Sequence, residues 1–313
     1  MNKLKKVLVV FLSLIMITSL VACGKDNKVE DKNNAENIAT TKYPLTIKDS
    51  YDREVTIDKE PERIISLGPN VTEAIYALGK GDKLVGRTDF CDYPVEVKNV
   101  ASVGSLQTPS IEKILELKPD IVIASTHFPK DVLKKLEDLT VKVVALYGED
   151  SFEGAYNTLE KMGEVLNAKE KANEVVNNMK EKVEYVASKV KGLNTPSLYY
   201  VIDFGQYGDF TATGDTFIHK MILMAGGKNI ADDAKGWKYS IEKVLEKNPS
   251  MVIVPKYFDA KGRIVKTNGY KDLEAIKNGK LFEIDNNMLD RQGPRLADGL
   301  EELAKIIHPE AFK

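Results

Sequence analysis

The sequence predicts an α/β protein of two lobes, each built on a parallel sheet, joined by one long helix. Three observations carry this. Strand-like and helix-like segments alternate through both halves of the chain, the pattern of a parallel sheet with crossover helices. One helix-to-strand phrase is written twice, as PSIEKILELKPDIVIAS from Pro109 and YSIEKVLEKNPSMVIVP from Tyr239. Between the halves, Ala168–Lys191 contains neither Gly nor Pro.

The elements follow in order. Lys3, Lys5 and Lys6 precede an almost wholly apolar run from Val7 to Leu20, and small residues follow. Residues 1–22 therefore read as a secretory signal peptide, with an uncleaved membrane anchor as the alternative. Leu20-Val21-Ala22-Cys23-Gly24 resembles the lipobox of bacterial lipoproteins. That resemblance implies that Cys23 is diacylated and becomes the mature N-terminus, and two acyl chains suffice for stable anchoring. The rest of 23–42 is rich in Lys, Asp, Asn and Glu. It lacks the apolar surface needed to order itself and reads as a flexible tether.

The folded body begins near Tyr43. TIKDSYDREVTI alternates around a polar turn at Asp52 and predicts a hairpin. Ile64–Leu67 is a short apolar strand, Gly68-Pro69-Asn70 a turn, and Val71–Leu78 a helix with Val71, Ala74, Ile75 and Leu78 on one face. Thr72-Glu73 adds acid to its first turn. Lys83–Gly86 and Val141–Leu146 read as strands, and Lys130–Leu139 as an amphipathic helix. In the second half Ser197–Ile202, Met251–Val254 and Phe282–Ile284 read as strands. Asp215–Ala225, Leu273–Lys277 and Gly293–Ile307 read as helices. Ala172, Val175, Val176, Met179, Val183, Val186 and Val190 recur at three- and four-residue steps along Ala168–Lys191. As one helix this stretch is about 36 Å long at about 1.5 Å per residue, enough to bridge two lobes. The expected division is 43–164 for the first lobe, 165–193 for the connecting helix and 194–313 for the second lobe.

The repeated phrase has a physical reading. Ile111, Ile114 and Leu115 share one helical face. Pro119 ends the helix, and Ile121–Ala124 is apolar on both faces, as a buried parallel strand requires. Glu112 and its counterpart Glu242 fall in the first helical turn, off the apolar stripe. Acids are favourable at helix N-termini for electrostatic reasons alone. Two at matching places in two lobes point instead to a paired surface role.

The 313 residues are 43% hydrophobic and 29% charged with a net charge of −2, so a full core is affordable and no basic surface for nucleic acid is indicated. There are 2 Cys; with Cys23 lipidated, Cys91 is a free, packing thiol. Catalytic and phosphate-binding signatures of the G-x-S-x-G, H-E-x-x-H, P-loop and G-x-G-x-x-G types are missing, which counts against an enzyme. Direct metal capture is a third reading. His127, His219 and His308 lack chelating spacing, although His127 follows a strand end and is a candidate haem-iron ligand.

Four stretches in this order, ERIISLGPNVTEAIYALG, VGRTDFCDYP, SIEKILELKPDIVIA and DRQGPRLADGLEELAKIIHP, resemble the class III substrate-binding proteins of bacterial ABC importers. That group serves vitamin B12, ferric siderophores and haem. The resemblance runs from about Pro44 to His308. It implies two Rossmann-like lobes joined by a single rigid helix, a ligand held between them, no catalysis and no cofactor. It implies a monomer held at the outer face of the cytoplasmic membrane. It also implies that Glu112 and Glu242 dock into arginine pockets on the two halves of a dimeric permease.

The cleft is expected beyond the carboxyl ends of the strands. Phe90 matches a ligand-touching aromatic of the vitamin B12-binding members. Leu106 and Gln107 precede the first repeated helix; those members carry a Trp near Leu106, so this chain departs there. Phe204 and Tyr207 follow the Ser197–Ile202 strand, and Trp237 precedes the second repeated helix. Arg291 matches a ligand-contacting Arg of the family, while Arg295 reads as structural. Core packing is the competing reading for each aromatic. The Phe90–Pro94 stretch is nearest to the vitamin B12 type, which favours cobalamin or a related corrinoid over a ferric siderophore, with haem third.

Overall fold

The computed structural model describes residues 40–126, 128–205 and 208–313. The expected signal, Cys23 and most of the tether lie outside the described residues, as do His127 and Tyr207.

A hairpin opens the body: β1 (Leu45–Lys48) pairs antiparallel with β2 (Glu54–Ile57). Asp52 adopts a left-handed φ of 63° in its turn, a conformation that Asp tolerates better than most residues. The first lobe then runs β3 (Ile64–Leu67), α1 (Pro69–Ala77), β4 (Leu84–Arg87), β5 (Ala101–Ser102), α2 (Ile111–Glu116), β6 (Ile121–Ala124), α3 (Lys130–Asp138) and β7 (Val143–Ala145). Its sheet is parallel in the order β5-β4-β3-β6-β7. β3 and β6 are interior strands, and every residue in them is buried. That is the two-sided burial their unbroken apolar runs require.

Two helices follow. α4 (Phe152–Val165) is capped by Ser151, whose hydroxyl accepts from the Gly154 N–H at 2.9 Å. α5 (Lys169–Val190) is a single helix of 22 residues. The second lobe runs β8 (Ser197–Asp203), β9 (Phe210–Thr211), α6 (Phe217–Met224), β10 (Lys228–Asn229), α7 (Ile241–Lys247), β11 (Met251–Pro255), α8 (Ala260–Ile264), α9 (Glu274–Lys277), β12 (Leu281–Ile284), α10 (Asn287–Asp290) and α11 (Leu296–Ile307). Its parallel path is β10-β8-β11-β12, with β9 antiparallel on β8.

Packing ties the lobes together. α5 lies on α4 of the first half and α11 of the second, burying Ala172, Val176, Met179 and Val186 from the expected stripe. Gly163 permits the α4–α5 approach: a Cβ there would stand 2.4 Å from the Ala172 Cβ. One apolar core runs from Ile64 and Ile121 through these helices to Leu198 and Ile253. Phe152 meets Phe217 of the other lobe edge-on at 5.5 Å between centroids.

Some sequence expectations shift. Glu73 falls in the second turn of α1 and is buried, so it does not serve the helix terminus. The helix expected from Asp215 begins at Phe217, because Thr216 is the cap, accepting from the His219 N–H at 3.2 Å. The helix expected from Gly293 begins at Leu296, preceded by the separate short α10.

Candidate functional site

A cavity of about 400 Å³ opens where the two lobes face each other. The first lobe supplies the carboxyl ends of its strands: Gly68-Pro69-Asn70 after β3, Ser125 and Thr126 after β6, and Tyr147, Gly148 and Asp150 after β7. Leu106 and Gln107, ahead of α2, complete that wall. Asp290, Arg291 and Gln292 close it from the second lobe. This is the position at which open α/β sheets hold ligands. Gly68 lets the ends of β3 and β6 come together, since a Cβ there would stand 2.8 Å from the Ser125 Cβ. A larger hollow of about 550 Å³ beside α4 is lined by the first lobe alone, so the inter-lobe cavity is the better candidate.

Beneath the cavity an ion-pair cluster joins the lobes. Glu73 of α1 has a side chain only 1% exposed. It accepts from Arg291 Nη1 at 2.9 Å, and from Arg295 Nε and Nη2 at 2.8 Å each. The fork on Arg295 is the bidentate geometry that fixes both partners. Arg291 Nη1 also donates to Asp92 at 2.6 Å, and Arg295 Nη1 to Asp285 at 3.3 Å. The Arg295 guanidinium lies 4.0 Å from the centre of the Tyr93 ring. Arg295 is thus structural, as its sequence context indicates. Arg291 lines the cavity but is already held by two carboxylates. Nearby, Gln292 donates to Asp150 across the lobes. Asp290 keeps solvent contact, yet the surrounding wall removes enough water to push its carboxyl up to about 6.

The remaining expected ligand residues divide. Leu106 and Gln107 line the cavity. Phe90 is 57% exposed and Trp237 43% exposed; neither is part of the cavity lining. Phe204 is a correction. It is 6% exposed, packs against Tyr270 at 5.6 Å in the second-lobe core, and carries the Arg263 guanidinium over its ring. The strand end turns its ring inward, so it offers no surface to a ligand. Tyr207 and His127 lie outside the described residues. His219 pairs with Asn229, and His308 with the Gly226 carbonyl. Cys91 is buried against Thr72 and Thr88. Among the described residues no group of three or more His, Cys, Asp or Glu is placed to hold a metal ion.

Tyr257 and Phe258 are a further aromatic pair that the sequence reading did not single out. They follow β11, stack edge-on at 5.0 Å, and leave Phe258 80% exposed. Phe258 and Asp259 both have positive φ, 53° and 49°, an unusual and costly backbone for Phe. An aromatic pair just after an apolar strand, in VIVPKYFD, was the available signal.

Glu112 and Glu242 take equivalent places. Ser110 caps α2 through the Lys113 N–H at 3.3 Å, and Ser240 caps α7 through the Lys243 N–H at 3.4 Å. Each glutamate is the second residue of its helix and is exposed. Hydrogen bonds from its own backbone N–H and from Ser240 hold the Glu242 carboxyl below its usual range.

Two α/β lobes fused through a common core, with a cavity between them, are the architecture of a periplasmic binding protein. The periplasmic binding protein family model matches residues 64–288, and the chain belongs to that family. It is 35% identical over 305 residues to the uncharacterized ABC transporter substrate-binding lipoprotein YvrC of Bacillus subtilis (strain 168), covering 96% of each chain. It is 28% identical to a vitamin B12-binding protein of Vibrio vulnificus (strain CMCP6), covering 78% of this chain and 89% of that one. Among solved structures, a periplasmic heme-binding protein from Pseudomonas aeruginosa superposes with a TM-score of 0.73 at 29% identity, covering 80% of this chain and 94% of that one. The chain is thus an ABC transporter substrate-binding protein of the vitamin B12, siderophore and haem group.

Proposed function

We propose that the chain is the lipid-anchored, extracytoplasmic receptor of an ABC importer and that it captures cobalamin or a related corrinoid between its lobes. The observation that carries the ligand class is the set of exposed aromatics, Phe90 on the first lobe and Trp237 and Phe258 on the second. The cavity wall itself offers the amides of Asn70, Gln107 and Gln292. A corrinoid is larger than about 400 Å³. One amide-bearing edge enters the cavity, and the apolar faces of the ring lie against the aromatics. The vitamin B12-binding relative supports the same reading. A ferric siderophore on the same walls is the second reading.

Glu112 and Glu242 are proposed to meet the two halves of a dimeric permease, with the receptor acting as a monomer. The division at 43–164, 165–193 and 194–313 is the proposed lobe organisation. Titration of the full chain with cobalamin, followed at the single Trp, tests the ligand. Saturable quenching at about micromolar concentration or below is expected. Phe258→Ala should weaken binding by about tenfold, roughly 1.4 kcal/mol. A saturable response to a ferric siderophore with none to cobalamin would transfer the function to siderophore capture.

A further inference from the structure

We propose that the cleft admits neutral and cationic chelates and rejects polyanionic ones, because carboxylates of this chain already occupy its one cationic wall residue among those described. The inference rests on the receptor reading and narrows its substrate class.

The described charged side chains lining the cavity are Asp150, Asp290 and Arg291; no lysine joins them. Arg291 Nη1 is shared between Glu73 at 2.9 Å and Asp92 at 2.6 Å. Arg295 is spent on Glu73 and Asp285. Two guanidinium charges therefore face five carboxylates: Glu73, Asp92, Asp150, Asp285 and Asp290. The cleft walls are protein rather than water, so this excess acts at close range with reduced screening.

A ferric tricatecholate, with three negative charges, and haem, with two propionates, both bring anions into that field. An anion that takes the remaining donors of Arg291 meets a guanidinium whose charge is already shared by Glu73 and Asp92, so it gains little to offset the repulsion. A neutral amide edge meets no such repulsion. Among the described contacts only Nη1 of Arg291 is engaged, leaving Nε and Nη2 to donate to carbonyl oxygens. Asp150 and Asp290 then accept from amide N–H groups. A ferric trihydroxamate carrying a protonated amine is favoured by the same carboxylates.

The test compares the full chain with its Asp92→Asn, Asp150→Asn and Asp290→Asn variants. The probes are the neutral dicyanocobinamide and a ferric tricatecholate, titrated at low and high salt. The wild type should bind the tricatecholate at least tenfold more weakly than dicyanocobinamide, and added salt should narrow the gap by screening the repulsion. Each substitution should raise the ratio of tricatecholate to cobinamide affinity at least fivefold, Asp92→Asn most, because it frees Arg291. Asp150 is exposed, so that variant keeps the test open if Asp92→Asn folds poorly. Equal affinity for the two probes in the wild type would overturn the inference and leave the receptor reading standing. So would an unchanged ratio in all three variants. If neither a corrinoid nor any ferric chelate bound, the receptor reading would fail and this inference with it.

Discussion

Asp290 sets part of the charge of the cleft, and its titration is accessible. Desolvation by the cleft wall raises its carboxyl to about 6, with Asp285 adding to the rise. Its hydrogen bond from Asn286 and the charge of Arg291 oppose it, and the hydroxyls of Tyr200 and Tyr257 also face it. An acid raised above its unfolded value favours the folded state at low pH. That contribution is lost as pH climbs from about 4 through 6. Asp290→Asn removes the titration, so its stability relative to the wild type should rise between pH 4 and pH 7, read by urea unfolding at each pH. A flat difference would show that Asp290 titrates normally. At this scale the sequence is a partial guide. Arg291 and Gln107 were legible from their context, as cavity-lining residues. Glu73 was not, because an acid near a helix start carries the same local pattern whether it serves the helix or two arginines more than two hundred residues away. Phe204 and Phe258 show the same limit: both follow strands, and only tertiary packing turns one ring inward and the other out.

The elements were read more securely, since periodicity is a local property. Both copies of the repeated phrase fold as a serine-capped helix and a buried parallel strand. The cap satisfies a backbone N–H that would otherwise lack a partner. α4 escaped notice although Phe152, Ala155, Tyr156, Leu159, Met162 and Val165 form a buried stripe; its interior Gly154 and Gly163 weaken the helical pattern. Those glycines answer to close approaches, which propensity does not see. The capped helices hold Glu112 and Glu242 at fixed, exposed positions. Charge reversal of both to Lys should abolish chelate uptake by intact cells and leave ligand affinity of the purified receptor unaltered, because both lie outside the cavity lining. Normal uptake by the double variant would assign these glutamates to their helix termini alone.

At the level of the whole molecule, the lobes share a core through α4, α5 and α11 and an ion-pair cluster beneath the cavity. Opening them widely would expose that apolar surface and uncouple Glu73 from both arginines, a costly separation of buried charge. Binding is therefore expected with small lobe movement. The two-lobed architecture was legible because alternation and the long uninterrupted helix recur over many residues. The lobe-to-lobe contacts were not, because they join positions far apart in the chain. Anchoring belongs to this scale too. Metabolic labelling with a fatty-acid probe should mark the wild type and not Cys23→Ala; label retained in the variant would exclude Cys23 as the lipid site.

Hydrogen exchange of the full chain with and without cobalamin addresses the central claim most directly, since it reports where the ligand sits. Added protection is expected at 68–70, 106–107, 125–126 and 290–292, and around 257–258, with α5 unaffected. Saturable binding with protection confined to the first-lobe hollow beside α4, or with none at the inter-lobe segments, would contradict capture between the lobes.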